Sequence, residues 1–414
     1  MKKIRVVHLV AGDLRGGAAR GAYWLHRGLL KHGIDSHIIT NHHDNLGDPT
    51  VKSLSVSKLR RFVSKLMSSL DLVLLLIFPK RERRIFSTGF FGLNYKREQV
   101  FREAEVVHLH WVNGLVATRS LKNIDKPVVM SIRDMWPMTG GCHYALDCKK
   151  YETGCGGCPQ LNSGFGWDFS KLIAQSKQKY FSDIKPVGIS EWIAEQANKS
   201  FVFRGNKAGY INNNVDCSLF YPMKKDIARK ILGVCTEKKV ILAGSTNVKD
   251  FYKGFHLFLE SLRYLDKHSI FLCVFGKPDI SLLEGTGFEF KAFGYLNDDI
   301  SMRLAYNAAD VFVAPSVQEA FGKTLVESLA CGTPVVSFDA TGPKGIIEHK
   351  VDGYKAAPFD PEDMAVGVDW VLNKSDYESL SHAAAKSAST KFDSVVIARQ
   401  YIDLYSDLVS EDLE

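Results

Sequence analysis

The chain has 414 residues, 45% hydrophobic and 24% charged, with 53 basic against 46 acidic side chains for a net charge of +7. That balance excludes a disordered or collagen-like chain. The length predicts two or three domains whose cores need no disulfides. No apolar run reaches the roughly 18 residues of a spanning helix, so a cytoplasmic protein is the default expectation.

The first apolar run, Ile4–Val10, is interrupted by His8 and ends at a glycine loop, which predicts a strand rather than a signal peptide. Gly12 to Ala19, with Gly16 and Gly17 adjacent, opens a helical pattern over Ala18–Lys31. A glycine pair at a helix N-terminus either binds an anion or is only a tight turn. The spacing is neither the dinucleotide fingerprint nor a Walker loop. Further strands are expected at Ser36–Thr40, Val106–His110, Pro127–Ile132 and Val187–Ser190, with a helix at Ile193–Lys199.

Two segments of this half stand out. Between Lys58 and Arg84 there are eight basic and two acidic residues, flanking an apolar stretch, Leu70 to Phe78, broken by Asp71. It reads either as a helix with a solvated basic face over a buried seam or as a membrane-surface segment. Cys142, Cys148, Cys155 and Cys158 form a cluster with a Cys-x2-Cys end. In a cytosolic chain that argues for a metal, a structural four-thiolate zinc, against free or disulfide-forming thiols. Such a closed shell would not be catalytic. His108 and His110 sit at i and i+2 on one strand face, next to Trp111. They read as structural more readily than catalytic, with His110 or Trp111 in reach of an acceptor.

The second half repeats the alternation. Strands are expected at Val240–Gly244, Phe271–Gly276, Val311–Pro315 and Pro334–Phe338, and helices at Phe255–Leu265, Ile300–Ala309 and Gly322–Ala330. Two βα arrays predict an α/β chain of two doubly wound domains facing a cleft. The expected division is 1–205, 206–393 and a C-terminal helix, 394–414, packing back on the first domain. Glu319 falls on the loop after Val311–Pro315, and Glu327 on the following helix. Carboxylates at such strand ends accept hydrogen bonds from sugar hydroxyls, and amides near Gly322 and Lys323 hold phosphate. Lys253, just before a helix, is placed to neutralise a diphosphate. Thr341 to Gly345 forms another glycine-bearing loop at the same edge.

Together these residues resemble the retaining, GT-B-fold glycosyltransferases of family 4. The most specific match is Glu319 to Glu327 with Phe321-Gly322 inside it. Gly16-Gly17, Asn213 to Asp216 with Phe220 and Pro222, Lys253-Gly254 and Cys331 to Val336 support it. Asp134 to Tyr144 resembles the subgroup that builds bacterial surface polysaccharides such as colanic acid, capsule or O-antigen. The resemblance implies that Glu319 holds donor-sugar hydroxyls and Glu327 the ribose, and that Lys253 and the glycine pair hold the diphosphate. Arg133 and Asp134 join Glu319 and Lys253 in the implied catalytic set. Asn247, Phe321, Gly322, Lys323 and Thr324 join the donor set, and His110, Trp111 and His143 the acceptor side. It also implies a UDP- or GDP-sugar donor, a lipid-linked glycan acceptor, no catalytic metal, and work at the inner face of a membrane. Two positions depart from the family. Relatives usually carry an arginine shortly before the lysine matching Lys253, where this chain offers Asn247 and Lys249. Many have a histidine in the motif that here reads Ser131-Ile132-Arg133-Asp134, and Arg133 cannot be a base. These departures motivate the alternative of a non-catalytic sugar-nucleotide or membrane-surface binding protein. Nucleic-acid binding fits poorly, because the basic segment is interleaved with aliphatics rather than stacking aromatics.

Overall fold

The structure, a computed structural model, describes residues 4–411 except 15, 43–46, 56, 246, 248, 249 and 278. Of the residues named above, Lys249 therefore lies outside the described residues. Strands β1 (Arg5–Val10), β2 (Asp35–Thr40), β3 (Val51–Ser53), β4 (Val106–Leu109), β5 (Val128–Ile132), β6 (Ile184–Gly188) and β7 (Gly209–Tyr210) form one sheet, ordered β3-β2-β1-β4-β5-β6-β7. Strands β8 (Lys239–Ser245), β9 (Ile270–Gly276), β10 (Glu289–Gly294), β11 (Val311–Ala314), β12 (Val335–Phe338) and β13 (Gly353–Ala356) form the other, ordered β10-β9-β8-β11-β12-β13. Every strand pair in both sheets is parallel. The central strands are buried on both faces, as their near-continuous apolar sequences require.

Each strand order reverses once, between β1 and β4 in the first sheet and between β8 and β11 in the second. At these two places the crossover helices run to opposite sides, and the loops leaving the paired strand ends diverge to leave a crevice.

The chain divides into Met1–Asn212 with Ile397–Glu414, and Asn213–Val396. Residues 206–212, expected in the second domain, fall in the first unit, where β7 pairs with β6 and closes the first sheet. The expected strand Val187–Ser190 also shifts, to Ile184–Gly188, because Ser190 is spent as the cap of the helix Glu191–Lys199. Its Oγ accepts from the Ile193 amide at 3.2 Å.

The first core gathers Val6, Val106, Val129 and Val187 from the sheet and Leu25 and Leu29 from the helix Gly17–Lys31. The last helix, Ser394–Glu411, adds Ile397, Ala398, Tyr401 and Tyr405 to that same core. The second core packs Ile241, Ala243, Val311, Val313 and Val336 against Phe255 and Phe258 of the helix Phe255–Ser261. Tyr405 is fully buried, with its hydroxyl 2.6 Å from His108 Nδ1. Replacing it separates packing from hydrogen bonding. Tyr405→Ala is expected to cost about 3–5 kcal/mol, the usual range for deleting a large buried aromatic. Tyr405→Phe is expected to cost about 1–3 kcal/mol, by leaving His108 short of a partner. Denaturant midpoints of the two variants check the order.

Candidate active site

In the second unit the crevice lies between β8 and β11, and the two most specific sequence candidates occupy its two lips. Lys253 follows β8 on the short turn Phe251–Lys253, and Glu319 follows β11. Their side chains meet across 66 residues of sequence, Lys253 Nζ donating to Glu319 Oε2 at 2.5 Å. Both are half-buried. Burial pulls the Lys253 ammonium down, but Glu319 outweighs it by charge and hydrogen bond, with Tyr252 and Asp250 adding, so its pKa is raised.

Local backbone explains why the contact forms. Val317 N and Gln318 N both donate to Tyr252 O, at 2.9 and 3.2 Å, tying the β11 loop to the β8 turn. Gly254 then turns through φ +65°, and a Cβ there would stand 1.8 Å from Pro315 O. Only glycine lets these two loops touch. Asn247 does not reach Lys253; its Nδ2 donates to Asp250 Oδ1 at 2.9 Å. Asp250 also accepts from the Tyr252 hydroxyl at 3.1 Å.

Glu319 is anchored from the other side as well. Its amide donates to Thr341 Oγ1 at 3.3 Å, and its carbonyl accepts from Gly342 N at 2.9 Å. The expected glycine-bearing loop after β12 is thus the support of Glu319. Gly342 has no room for a side chain, since a Cβ would lie 2.5 Å from the Ala320 carbonyl group.

The helix Lys323–Ala330 begins behind Gly322, which has φ +113° and offers no side-chain cap. Its first amides point at the strand ends, the arrangement that holds anions. Phe321 contributes no ring to this surface. The ring is buried and packs edge-on against Phe392. Glu327 is buried, with Oε1 bonded to Lys323 Nζ and Oε2 accepting from Tyr306 OH at 2.9 Å. Thr324 is half-buried at the helix start. Tyr306 and Thr341 carry no motif of their own, and the sequence reading missed both roles.

In the first unit the loop after β1 carries Gly12, and Gly16 and Gly17 are exposed at the start of the helix Gly17–Lys31. No side chain caps that helix. Ala11 N donates to Trp111 O at 2.7 Å, so the loops after β1 and β4 are joined at the switch point. Trp111 Nε1 donates to Asp134 Oδ2 at 3.1 Å, and His143 Nδ1 lies 2.6 Å from the same oxygen. His143 is buried and its Nε2 is 3.0 Å from Ser87 Oγ. The structure therefore assigns His143 to holding Asp134, and leaves Trp111 and Asp134 half-buried at the strand ends.

His110 and Arg133 are both buried. Arg133 Nε donates to His110 Nδ1 at 3.2 Å, and a terminal guanidinium nitrogen lies 3.1 Å from the same atom. Burial lowers Arg133 to about 10, which leaves it charged at neutral pH. His8, His108 and His110 bring ring nitrogens within 4.8 Å of one another, the one such set of three among the described residues. They do not read as a metal site. All six nitrogens already have partners: Ser36, Ser131, Tyr405, Arg133 and the His8–His110 contact itself.

Cys142, Cys148, Cys155 and Cys158 line one small cavity with Tyr151, Lys150 and Ser170. All four thiols are free. Burial pushes Cys142 and Cys155 up to about 12. Cys155 sits at φ +61° and accepts from Gly140 N at 3.1 Å. The loop also braces the basic segment. Glu82 N donates to Gln160 O, and Gln160 Nε2 donates to the carbonyls of Arg84 and Ile85.

Residues 224–389 match the family described as Glycosyl transferases group 1. That match lies within the second unit. Over 412 residues the chain is 26% identical to an uncharacterised glycosyltransferase of Methanocaldococcus jannaschii, covering 94% of each. It is 22% identical over 351 residues to WcaC of Escherichia coli, named as a colanic acid biosynthesis glycosyl transferase, covering 80% of this chain and 82% of that one. Among solved structures, HepE of Anabaena in complex with UDP and glucose superposes with a TM-score of 0.64 at 16% identity, over 98% of this chain and 100% of that one. The two parallel-sheet, Rossmann-like units are the GT-B fold of these glycosyltransferase structures. The glycosyltransferase match covers Lys253, Glu319 and Glu327 but none of the first-unit residues.

The histidines of the first unit make a pH prediction. Burial lowers His26 to about 4 and holds His8, His108 and His110 well below their ordinary value. The unfolded chain binds these protons near pH 6.5 and the folded chain does not. Stability is therefore present above pH 6.5 and lost as pH falls toward 4. For His26 alone the loss is about 3 kcal/mol by pH 4. Urea midpoints at pH 7.5, 5.5 and 4.5 check the direction.

Proposed function

We propose that this chain is a retaining, metal-independent glycosyltransferase that moves a sugar from a UDP- or GDP-linked donor to a lipid-linked glycan in bacterial surface polysaccharide biosynthesis. The observation that carries the reading is the Lys253–Glu319 pair at the switch point of the unit that matches the group 1 glycosyltransferases. The pair is partly open to solvent, its side chains 23% and 25% exposed, so a ligand reaches both groups. A diphosphate takes the ammonium, and sugar hydroxyls take the carboxylate. The two roles are then filled at once, by one molecule that carries both groups.

In the reaction the sugar–phosphate bond breaks and the leaving diphosphate gains charge. Lys253 and the amides at the start of the helix Lys323–Ala330 stabilise that charge in place. The acceptor hydroxyl attacks from the same face, and a phosphate oxygen takes its proton. Glu327, already held by Lys323 and Tyr306, offers its carboxylate to the ribose. The Gly16–Gly17 amides are proposed as a further phosphate contact, and Trp111 with Asp134 as acceptor-side contacts.

The lipid-linked acceptor is supported by the segment after β3. The helix Lys58–Leu74 leaves Leu59 (72%), Phe62 (63%) and Leu66 exposed, and Leu76 (72%) and Ile77 follow on the next turn. The expected buried seam is thus largely open to solvent. Asp71, which interrupts it, accepts from Thr88 N at 2.9 Å and pins the helix down. Lys58, Arg60, Arg61 and Lys65 are exposed beside the apolar row. Exposed apolar residues beside clustered cations complement an anionic lipid surface. No described helix is long and apolar enough to cross a membrane.

The test is nucleoside diphosphate release from a panel of UDP-, GDP- and ADP-sugars, with and without bacterial membrane lipid. Release from one donor, raised by lipid, is expected. Glu319→Ala and Lys253→Ala should each lower it by about 100-fold or more. Leu59→Ser with Phe62→Ser should remove the lipid effect while leaving lipid-free release intact. Donor binding without turnover under every acceptor condition would favour the non-catalytic reading, and no binding would overturn both.

The four cysteines are proposed to hold one structural zinc that rigidifies the loop bracing residues 82–85. The support is the donor set, four thiols around one cavity. A zinc ion would draw the sulfurs together and deprotonate them despite their raised pKa values. Elemental analysis of the purified chain should give about one zinc, lost together with one thermal transition on Cys155→Ser. Four thiols that titrate freely in the native, metal-free chain would overturn it.

A further inference from the structure

Apart from the set made by His108, Ser131, Tyr401 and Tyr405, a second series of polar groups forms a line across the first sheet. Arg133, at the end of β5, donates to His110 Nδ1. His110 Nε2 is 2.9 Å from His8 Nδ1 on β1. His8 Nε2 is 3.1 Å from Ser36 Oγ on β2. Ser36 Oγ is 2.8 Å from His26 Nδ1, and His26 Nε2 is 2.8 Å from Thr50 Oγ1. Thr50 Oγ1 donates to Asp48 Oδ1 at 2.5 Å. The line crosses the sheet strand by strand, β5, β4, β1, β2, and steps over the switch point between His110 and His8.

Its direction is fixed from both ends. A guanidinium only donates, so His110 Nδ1 accepts. A neutral His110 then carries its proton on Nε2 and donates to His8. His8 in turn carries its proton on Nε2 and donates to Ser36. From the far end, an ionised carboxylate only accepts, so Thr50 donates to Asp48 and accepts from His26 Nε2–H. His26 Nδ1 is then an acceptor, and Ser36 donates to it. The two deductions meet at one hydroxyl that accepts once and donates once. Every dipole along the line turns its negative end toward Arg133 and its positive end toward Asp48.

We propose that His110, His8, Ser36, His26, Thr50 and Asp48 are positioning residues that fix the Arg133 guanidinium at the strand ends through a one-way chain of hydrogen bonds. His110 is by this reading neither a base nor an acceptor contact, because its lone pair faces Arg133. Asp48 is itself held by the Tyr23 hydroxyl at 2.9 Å and by the Thr50 amide, with Arg27 3.7 Å away. The function of the fixed cation rests on the transferase reading; the chain of hydrogen bonds does not.

The decisive experiment is long-range proton–nitrogen NMR of the full chain labelled with 15N-histidine at pH 7.5. His8, His26 and His110 are expected as neutral Nε2–H tautomers, assigned through the variants Ser36→Ala and Thr50→Val. An Nδ1–H tautomer or an imidazolium at any of the three overturns the proposal, whatever the enzyme does. The second measurement is a double-mutant cycle on kcat. Asp48→Asn keeps the acceptor for Thr50 and removes only the charge, so it should fold. It is expected to lower kcat about fivefold in the native background and to have no effect in an Arg133→Gln background. Equal losses in both backgrounds would show that Asp48 acts independently of Arg133 and overturn its positioning role. If the native chain turns over no donor, the transferase reading fails while the tautomers still decide the hydrogen-bond chain.

Discussion

In a parallel sheet every strand ends at the same edge, and this constraint organises both halves of the molecule. All loops that follow strands collect there, while the helices take the return path. Where the strand order reverses, two neighbouring loops part, and side chains on either lip come within bonding distance without clashing. Lys253 and Glu319 meet at such a place, and so do the loops that carry Gly12 and Trp111. Neither contact is encoded by local sequence. Both follow from the strand order, which is set by burying apolar strands on two faces.

Much of this was legible in the sequence, and what was not has a physical pattern. The strands read correctly were central ones, whose apolar runs are unmistakable because both faces are buried. The strands not anticipated were β3, β10 and β13, all at sheet edges. An edge strand such as Glu289–Gly294 is half-exposed and need not be apolar. β7 is likewise an edge strand, of two residues, both exposed. The carboxylate motif and Lys253 were visible as residue types at meaningful places. Their ion pair was not, since nothing in the spacing says that 66 residues later the chain returns to within 2.5 Å. The side chains that hold the site, Thr341, Tyr306 and Ser87, carry no signal, because a hydroxyl serves equally well at a surface.

His8 shows the opposite case. A histidine in a fully buried strand needs partners for both nitrogens. The in-register pairing of His8 with His108 puts three imidazoles on one face of two adjacent strands. Their partners arrive from β2, from β5 and the loop after it, and from the last helix, a set that only the tertiary fold assembles. The same reasoning explains Asp71, an acid in an apolar run that looked like an interruption. It is the anchor of a helix whose apolar side is otherwise little used by the core.

The two units deal with buried charge in different ways, and the difference suits different tasks. In the second, Lys253 and Glu319 compensate each other directly at a partly open site, so the pair separates when a ligand offers each a better partner. A site that must exchange its partners in every cycle needs that openness. In the first, Arg133 is held by His110 at the head of a line of neutral groups. Displacing it would leave the buried His110 Nδ1 without a donor, which favours a cation that stays where it is. A fixed charge of that kind suits orientation rather than exchange. Substituting a histidine at position 133 would remove the obligate donor to His110 Nδ1. The Asp48 end would still set the direction of the line, so the loss would fall on the one group that touches the cation.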